Sequence, residues 1–177
     1  ACWSRPKGPN DLKPTPWADF DPDGRLFADL APCFITSFER TSWLIRKRDG
    51  TQVEIALDIG QIESNGKHAP ICELELELKA GHPSALFAIA HDIAQVVAVL
   101  PANQSKSERG FLLAQGGLCQ PQRAQTSQLS QRLAKPELAR RVLREVFAQF
   151  TMNLNVLCTS DDPEVVHQAR IGWRRFK

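Results

Sequence analysis

The feature that most constrains the fold of this chain is the segment Ile71–Lys79, in which leucine and glutamate alternate. Because a β-strand sends successive side chains to opposite faces, this segment predicts a strand with one apolar and one acidic face. The apolar face carries Leu74, Leu76 and Leu78, and the acidic face carries Glu73, Glu75 and Glu77. If the acidic face points to water, the segment is an ordinary half-buried strand. If this face lines the lumen of a barrel, the carboxylates could hold hard divalent cations through oxygen. The rest of the sequence favours the lumen.

Composition limits the classes of protein that remain. The chain has 177 residues, 42% of them hydrophobic and 24% charged, which is typical of a globular protein with room for one domain and part of another. Five scattered cysteines without a Cys-x-x-Cys pair indicate reduced thiols and a cytoplasmic protein. The formal charge is only +2, and no apolar run approaches the ~20 residues of a membrane span. We therefore expect neither a nucleic-acid nor a membrane partner, and the oligomeric state stays open.

Two more strands are predicted upstream of the acidic one. They cover Phe34–Lys47 and Gln52–Glu63, and the second of them alternates apolar and polar residues. Asp49-Gly50 and Asn65-Gly66 lie between the three strands, and both dipeptides favour the positive φ angles of tight hairpin turns. The sequence therefore predicts an antiparallel meander.

Helices, one further strand and a linker are predicted around and after this meander. In chain order they are a short helix at 25–30, a helix from His82 to about Val99, a strand at about Arg109–Ala114, a linker, and helices beginning at Pro136 and Pro163. The linker is rich in Gln, Ser and Ala, and Asp162 is a typical N-cap for the last helix. We expect an α+β domain followed by the start of an all-helical one.

Basic side chains accompany the acidic strands. Arg40 and Arg46 are an even number of residues apart, so a regular strand points them the same way, and Lys106 precedes the last predicted strand. Arginine, lysine and carboxylate groups around one lumen suit a phosphate-rich anion bridged by a metal ion, and they would neutralise charge during phosphoryl transfer. Taken singly, Arg40 or Lys106 could be a solvated cation, and Asp58 could be a turn residue. No glycine-rich phosphate loop is present, so a P-loop enzyme is excluded.

The region from Phe34 to Gly116 resembles the C-terminal half of a CYTH domain. The segments that carry the resemblance are Phe38–Thr41, Val53–Gly60, Ile71–Leu78 and Ser105–Gly110. They are most similar to the bacterial inorganic triphosphatases in which a CYTH domain is followed by a CHAD domain. The resemblance implies an antiparallel, eight-stranded tunnel that binds triphosphate with Mg²⁺ or Mn²⁺.

The resemblance also implies roles for individual residues. Arg40 and Lys106 would contact phosphate, with Arg46 as a further candidate. Asp58, Glu73 and Glu75 would serve as metal ligands or act on the attacking water, and Glu77 shares their face.

One hallmark of the family is not found in this sequence. The Glu-x-Glu-x-Lys strand that opens the family's domain has no counterpart here. We therefore expect residues 1–33 to be the connector from a missing first half and residues 34–115 to be the second half of the tunnel. On this interpretation the chain is a piece of a longer protein and is inactive by itself.

The C-terminal segment Val165–Lys177 resembles the opening helix of a CHAD domain, a helical module associated with polyphosphate. At helical spacing its basic residues His167, Arg170, Arg174 and Lys177 fall on one face. Its apolar residues Val166, Ala169, Trp173 and Phe176 fall on the other side. The basic row could bind polyphosphate or could simply be a solvated helix face. With this assignment residues 116–135 are a linker and residues 136–177 are the start of the CHAD domain.

Three functions follow from these observations. The first is metal-dependent hydrolysis of inorganic triphosphate to pyrophosphate and phosphate. The second keeps the tunnel but acts on thiamine triphosphate or cyclises ATP. The third is binding of polyphosphate without turnover. The CHAD-like tail favours the first over the second, because the thiamine triphosphatases and adenylyl cyclases of this family usually stand alone.

Overall fold

The computed structural model describes residues 9–12, 15–124 and 134–177. The chain divides into two compact units, residues 1–33 and residues 34–177. The described part of the first unit contains a 3-10 helix, Pro9–Leu12, and two short α-helices, α1 (Trp17–Phe20) and α2 (Arg25–Ala28). The buried carboxylate of Asp21 accepts hydrogen bonds from the backbone N–H groups at the start of α2. This confirms the short helix predicted at 25–30.

A three-stranded antiparallel sheet organises the second unit. Its strands are β1 (Ile35–Arg46), β2 (Gln52–Ser64) and β3 (Lys67–Ala80), and they pair in the order β1-β2-β3. Asn65 and Gly66 have φ angles of 51° and 74°, as the tight β2–β3 turn requires. The predicted meander and the α+β arrangement are therefore confirmed.

The segment predicted as a fourth strand, about Arg109–Ala114, is instead part of a helix, and that prediction is wrong. Two helices follow the sheet, α3 (Ser84–Ala94) and α4 (Lys106–Gln115). A capping box starts α4: Ser105 Oγ accepts from the Glu108 N–H, and the Glu108 carboxylate accepts from the Ser105 N–H. Gly116, in the left-handed conformation, ends the helix. These two end signals bracket the segment as a helix.

Helix α3 ends at Ala94, before the predicted end at about Val99. The residues after Gln95 include Val96, Val97 and Val99, and valine is a poor helix former because its branched side chain loses freedom in a helix. The helix contacts β3.

A small apolar cluster fixes α4 to one end of the sheet. Ile62, Ala69 and Ile71 of the sheet are buried against Leu113 of α4. Gly110 faces the ring of Phe34, and a Cβ at this position would overlap ring atoms. The absence of a side chain at Gly110 therefore lets α4 lie close to the sheet, with the first turn of the helix over the polar part of the same face.

The remaining helices form an αα-hairpin. They are α5 (Lys135–Leu157) and α6 (Pro163–Phe176), which pack against each other. The predicted cap of α6 is confirmed, because Asp162 Oδ1 accepts from the Glu164 N–H at 2.8 Å and Pro163 is the first helical residue. Gly172 of α6 allows a close approach to α5, since a Cβ there would be 2.9 Å from the backbone N of Phe150.

Polar side chains of α5 bind two loop segments that follow α3 and α4. Asn153 is fully buried: its Oδ1 accepts from the Gln122 N–H at 3.0 Å and its Nδ2 donates to the Gln122 carbonyl at 2.9 Å. Asn155 Nδ2 donates to the Pro101 carbonyl at 3.0 Å. We call Asn153, Asn155 and their two backbone partners the amide latch, which ties the hairpin to the chain that leaves the sheet.

The predicted domain boundaries stay predictions. Part of the linker predicted at 116–135, residues 125–133, lies outside the described residues, as do residues 1–8 and 13–14 of the predicted connector. Over the described ranges, no helix is both long and apolar enough to cross a membrane.

Candidate active site

The sheet register brings charged residues of all three strands together on one face. Arg40 lies opposite Asp58, and Asp58 lies opposite Glu73. Glu75 follows Glu73 by two residues and therefore lies on the same face. The alternation seen in the sequence thus produces a compact row of one arginine and three carboxylates.

Helix α4 adds two cations above this row. Lys106 and Arg109 are three residues apart, so they lie on one face of the helix. Because α4 contacts all three strands, this face meets the carboxylates. We call the resulting group the ion-pair cluster; its members are Arg40, Asp58, Glu73, Glu75, Lys106 and Arg109.

Arg40 binds Asp58 through two parallel hydrogen bonds. Its Nε donates to Oδ1 at 2.7 Å and its Nη2 to Oδ2 at 2.6 Å, which is the strong bidentate arrangement of guanidinium and carboxylate. The same Nη2 lies 2.6 Å from Glu75 Oε2. Asp58 is fully buried, and the hydrogen bonds from Arg40 above all lower its pKa to about 2 although burial opposes the shift. The hydrogen bond with Asp58 likewise raises the pKa of Arg40.

Lys106 lies at the centre of the cluster and contacts three carboxylates. Its Nζ is 2.7 Å from Asp58 Oδ2, 2.9 Å from Glu73 Oε2 and 2.7 Å from Glu75 Oε1. Burial acts to lower the pKa of Lys106, but the hydrogen bonds to the three carboxylates outweigh it and raise the pKa. The hydrogen bond from Lys106 lowers the pKa of Glu75. The lysine is therefore charged at any physiological pH.

Arg109 completes the cluster, and the sequence analysis missed its contribution. Its Nη1 donates to Glu73 Oε1 and its Nη2 donates to the Pro70 carbonyl. Arg109 lies in the segment Ser105–Gly110 that resembles the CYTH family, but it was not among the predicted phosphate-binding residues. The predicted strand from about Arg109 did not place it beside Lys106. The Ser105-x-x-Glu108 capping box could have found it, since a helix places Lys106 and Arg109 on the same face.

Two predicted participants lie apart from the cluster. Arg46 is at the hairpin end of β1, opposite Gln52 and roughly 20 Å along the strand from Arg40; in the described part of the chain it makes no ion pair. Glu77 pairs with Lys79 at 2.8 Å, and Lys79 also contacts Glu54. Glu54, Glu77 and Lys79 therefore form a separate, more exposed group on the same face of the sheet.

The basic residues predicted on α6 are all exposed. They are His167, Arg170, Arg174 and Lys177. On the other side of the helix Ala169 is buried, and Trp173 is 47% exposed although its ring centroid is 5.2 Å from that of Phe150 on α5. Gly172 is buried as well, and the missing side chain there allows a close approach to α5.

The donor chemistry of the cluster suits a hard divalent cation, because Asp58, Glu73 and Glu75 offer only carboxylate oxygens. In this structure all six of those oxygens contact Arg40, Lys106 or Arg109. Across residues 9–12, 15–124 and 134–177, no group of three or more His, Cys, Asp or Glu side chains is arranged to hold a metal ion. The metal role of the three carboxylates stays a prediction.

The sequence matches the CYTH domain over residues 12–111, and the chain therefore belongs to the CYTH family. It is also similar to the inorganic triphosphatase of Haemophilus influenzae (strain ATCC 51907 / DSM 11121 / KW20 / Rd), with 36% identity over 84 residues. The matched region is 48% of this chain but only 24% of that relative, so the chain matches about a quarter of the relative's length. The predicted CYTH membership is confirmed, and the CHAD assignment stays a prediction.

Proposed function

We propose that this chain forms part of the active site of a triphosphatase that hydrolyses inorganic triphosphate to pyrophosphate and phosphate. The observation that carries the proposal is the ion-pair cluster, in which three cations converge on one face of the sheet and are held there by carboxylates. Membership of the CYTH family and the similarity to an inorganic triphosphatase support it.

The cations of the cluster would bind the phosphate chain. Guanidinium groups of Arg40 and Arg109 match phosphate oxygens in two-point geometry, and the Lys106 ammonium adds a compact charge. As water attacks the terminal phosphorus, the bond to the bridging oxygen breaks and negative charge builds on the departing pyrophosphate. Fixed cations stabilise that charge without having to reorganise. A carboxylate released from its cation, Glu73 or Glu75, would orient the water.

Mg²⁺ or Mn²⁺ is part of this proposal. Mg²⁺ is usually held by one or two carboxylates together with substrate phosphates, without a cage built only from protein groups. Glu75, whose side chain is 46% exposed, and its neighbour Glu73 are the residues that would hold it. The ion would supply charge neutralisation on the phosphate oxygens. The buried Asp58 is better suited to anchoring Arg40 and Lys106.

The test is phosphate release, measured for this chain and for the gene product that contains it. Substrates are inorganic triphosphate, thiamine triphosphate, ATP and long-chain polyphosphate, each with Mg²⁺ or Mn²⁺. We expect the gene product to release phosphate from triphosphate and this chain alone to release none. In the gene product Glu75→Gln should abolish the release, while Glu77→Gln, on the same strand but outside the cluster, retains it. Release from thiamine triphosphate or cyclisation of ATP in place of triphosphate hydrolysis would assign another substrate to the same tunnel. Activity that persists in Glu75→Gln would contradict the proposed site.

A polyphosphate-binding module without turnover is the second candidate. It is favoured by the exposed basic row of α6 and by the resemblance of this helix to a CHAD domain. In the same assay this function predicts no phosphate release from any substrate, together with retained binding of long-chain polyphosphate. Replacing Arg170 and Arg174 by glutamine would then weaken that binding.

A further inference from the structure

An aromatic ring lies beside two cations of the ion-pair cluster. The centroid of the Phe38 ring is 5.1 Å from Lys106 Nζ and 5.8 Å from Arg40 Cζ. Both distances are within the ~6 Å over which the negative face of an aromatic ring attracts a cation. Phe38 precedes Arg40 by two residues on β1, so it lies on the same face as the cluster, and it is 40% exposed.

Phe38 has a glycine as its partner on the neighbouring strand. Phe38 lies opposite Gly60 of β2. A Cβ at Gly60 would be 2.5 Å from Phe38 Cα and 2.7 Å from Phe38 Cβ, distances that real Cβ atoms essentially never show. A glycine covered by an aromatic side chain of the neighbouring strand is a favourable pair in β-sheets. The absence of a side chain at Gly60 therefore lets β2 lie close to the start of the Phe38 side chain.

The two cations need a support of this kind. Lys106 Nζ and Arg40 Nη2 lie 2.7 Å and 2.6 Å from the same oxygen, Asp58 Oδ2, so two like charges are held close together. Carboxylates hold the pair, but they also cancel the positive charge that would attract a phosphate-rich anion. An aromatic ring attracts both cations and carries no net charge, so it does not repel the anion as a carboxylate does.

We propose that Phe38 is a positioning residue, which keeps Lys106 and Arg40 together and correctly placed when a phosphate-rich anion takes over their carboxylate contacts. The inference rests on the proposed function, because it concerns the same phosphate-binding cations. The inference adds Phe38 to the site beside Arg40, which follows it by two residues on β1.

The experiment compares Phe38→Leu, Phe38→Tyr and the control Trp43→Leu. Leucine keeps an apolar side chain without a π system, and tyrosine restores the ring. Trp43 is an exposed aromatic residue on the opposite face of the same strand. Binding of sodium tripolyphosphate by the whole chain is measured by titration calorimetry. We expect Phe38→Leu to weaken binding roughly five- to twentyfold, Phe38→Tyr to restore it and Trp43→Leu to leave it unchanged.

A second measurement needs no ligand. A double-mutant cycle in urea combines Phe38→Leu with Lys106→Met, and we expect the two effects on the unfolding equilibrium constant to be non-additive by about two- to fivefold. Additivity, or equal weakening of tripolyphosphate binding by the leucine and tyrosine variants, would overturn the proposal. A wild-type chain that shows the coupling but binds no tripolyphosphate would overturn the positioning role, whereas the proposed function fails only if the gene product releases no phosphate from triphosphate.

Discussion

Replacing Asp58 by asparagine tests whether the buried carboxylate stabilises the fold through its cations. The pKa of Asp58 is about 2, held down chiefly by the hydrogen bonds from Arg40. In an unfolded chain an aspartate has a pKa of about 3.9, so the shift corresponds to about 2–3 kcal/mol of stability at neutral pH. Because the pKa is lowered on folding, this stabilisation is complete above pH ~4 and is lost as the pH falls towards 2. We expect Asp58→Asn to lose that amount at pH 7 and to lack the acid-dependent step.

The measurement is urea unfolding of both proteins at several pH values between 7 and 2, with the free energy of unfolding obtained by linear extrapolation. The free energy of unfolding of the wild type should exceed that of Asp58→Asn by about 2–3 kcal/mol at pH 7. At pH 2 this difference should shrink below about 1 kcal/mol. Glu77→Gln is the matched control: its side chain is 66% exposed, and it should change stability by less than about 1 kcal/mol at any pH. Parallel pH profiles for wild type and Asp58→Asn would refute the reasoning.

Two further predictions concern glycines at close contacts. Gly110→Ala should lower the free energy of unfolding by about 1–3 kcal/mol and move the cations of α4, because the new methyl group overlaps the Phe34 ring. The control Gly117→Ala, whose new methyl group meets only ordinary contacts, should leave the free energy of unfolding unchanged in the same urea experiment. Gly172→Ala should destabilise the α5–α6 hairpin by about 1–3 kcal/mol, because its Cβ would lie 2.9 Å from the backbone N of Phe150. The measurement for Gly172→Ala is the loss of helical circular dichroism on heating, compared with the wild type. The affinity of this variant for tripolyphosphate should stay unchanged.

The sheet and most of the cluster could be predicted from the sequence because both depend on the two-residue period of a strand. Alternation places Glu73 and Glu75 on one face, and the two hairpin dipeptides fix the antiparallel order. The direct row of Arg40, Asp58 and Glu73 depends on register, which the turn geometry sets and the sequence pattern did not specify.

The sequence pattern did not predict features that depend on helix-capping signals or on close contacts between backbones. The segment from about Arg109 was predicted as a strand, but the capping box at Ser105 makes it part of a helix, and this helix carries Arg109 at the site. On α6 the sequence pattern gives a basic and an apolar side, but it does not show the close approach of Gly172 to the backbone of Phe150. A hydrophobic pattern does not show where two backbones can approach most closely.

The amide latch has a consequence for how this chain can be divided. Asn153 pairs with both polar groups of the Gln122 peptide, in the way that one strand residue pairs with another. Separating the hairpin from the segment around Gln122 would lose both hydrogen bonds, at about 0.5–1.5 kcal/mol for each. The hairpin and the segment around Gln122 should therefore unfold in a single cooperative step. For the same reason the hairpin is not an interchangeable module, and it could be exchanged between proteins only together with a matching peptide segment.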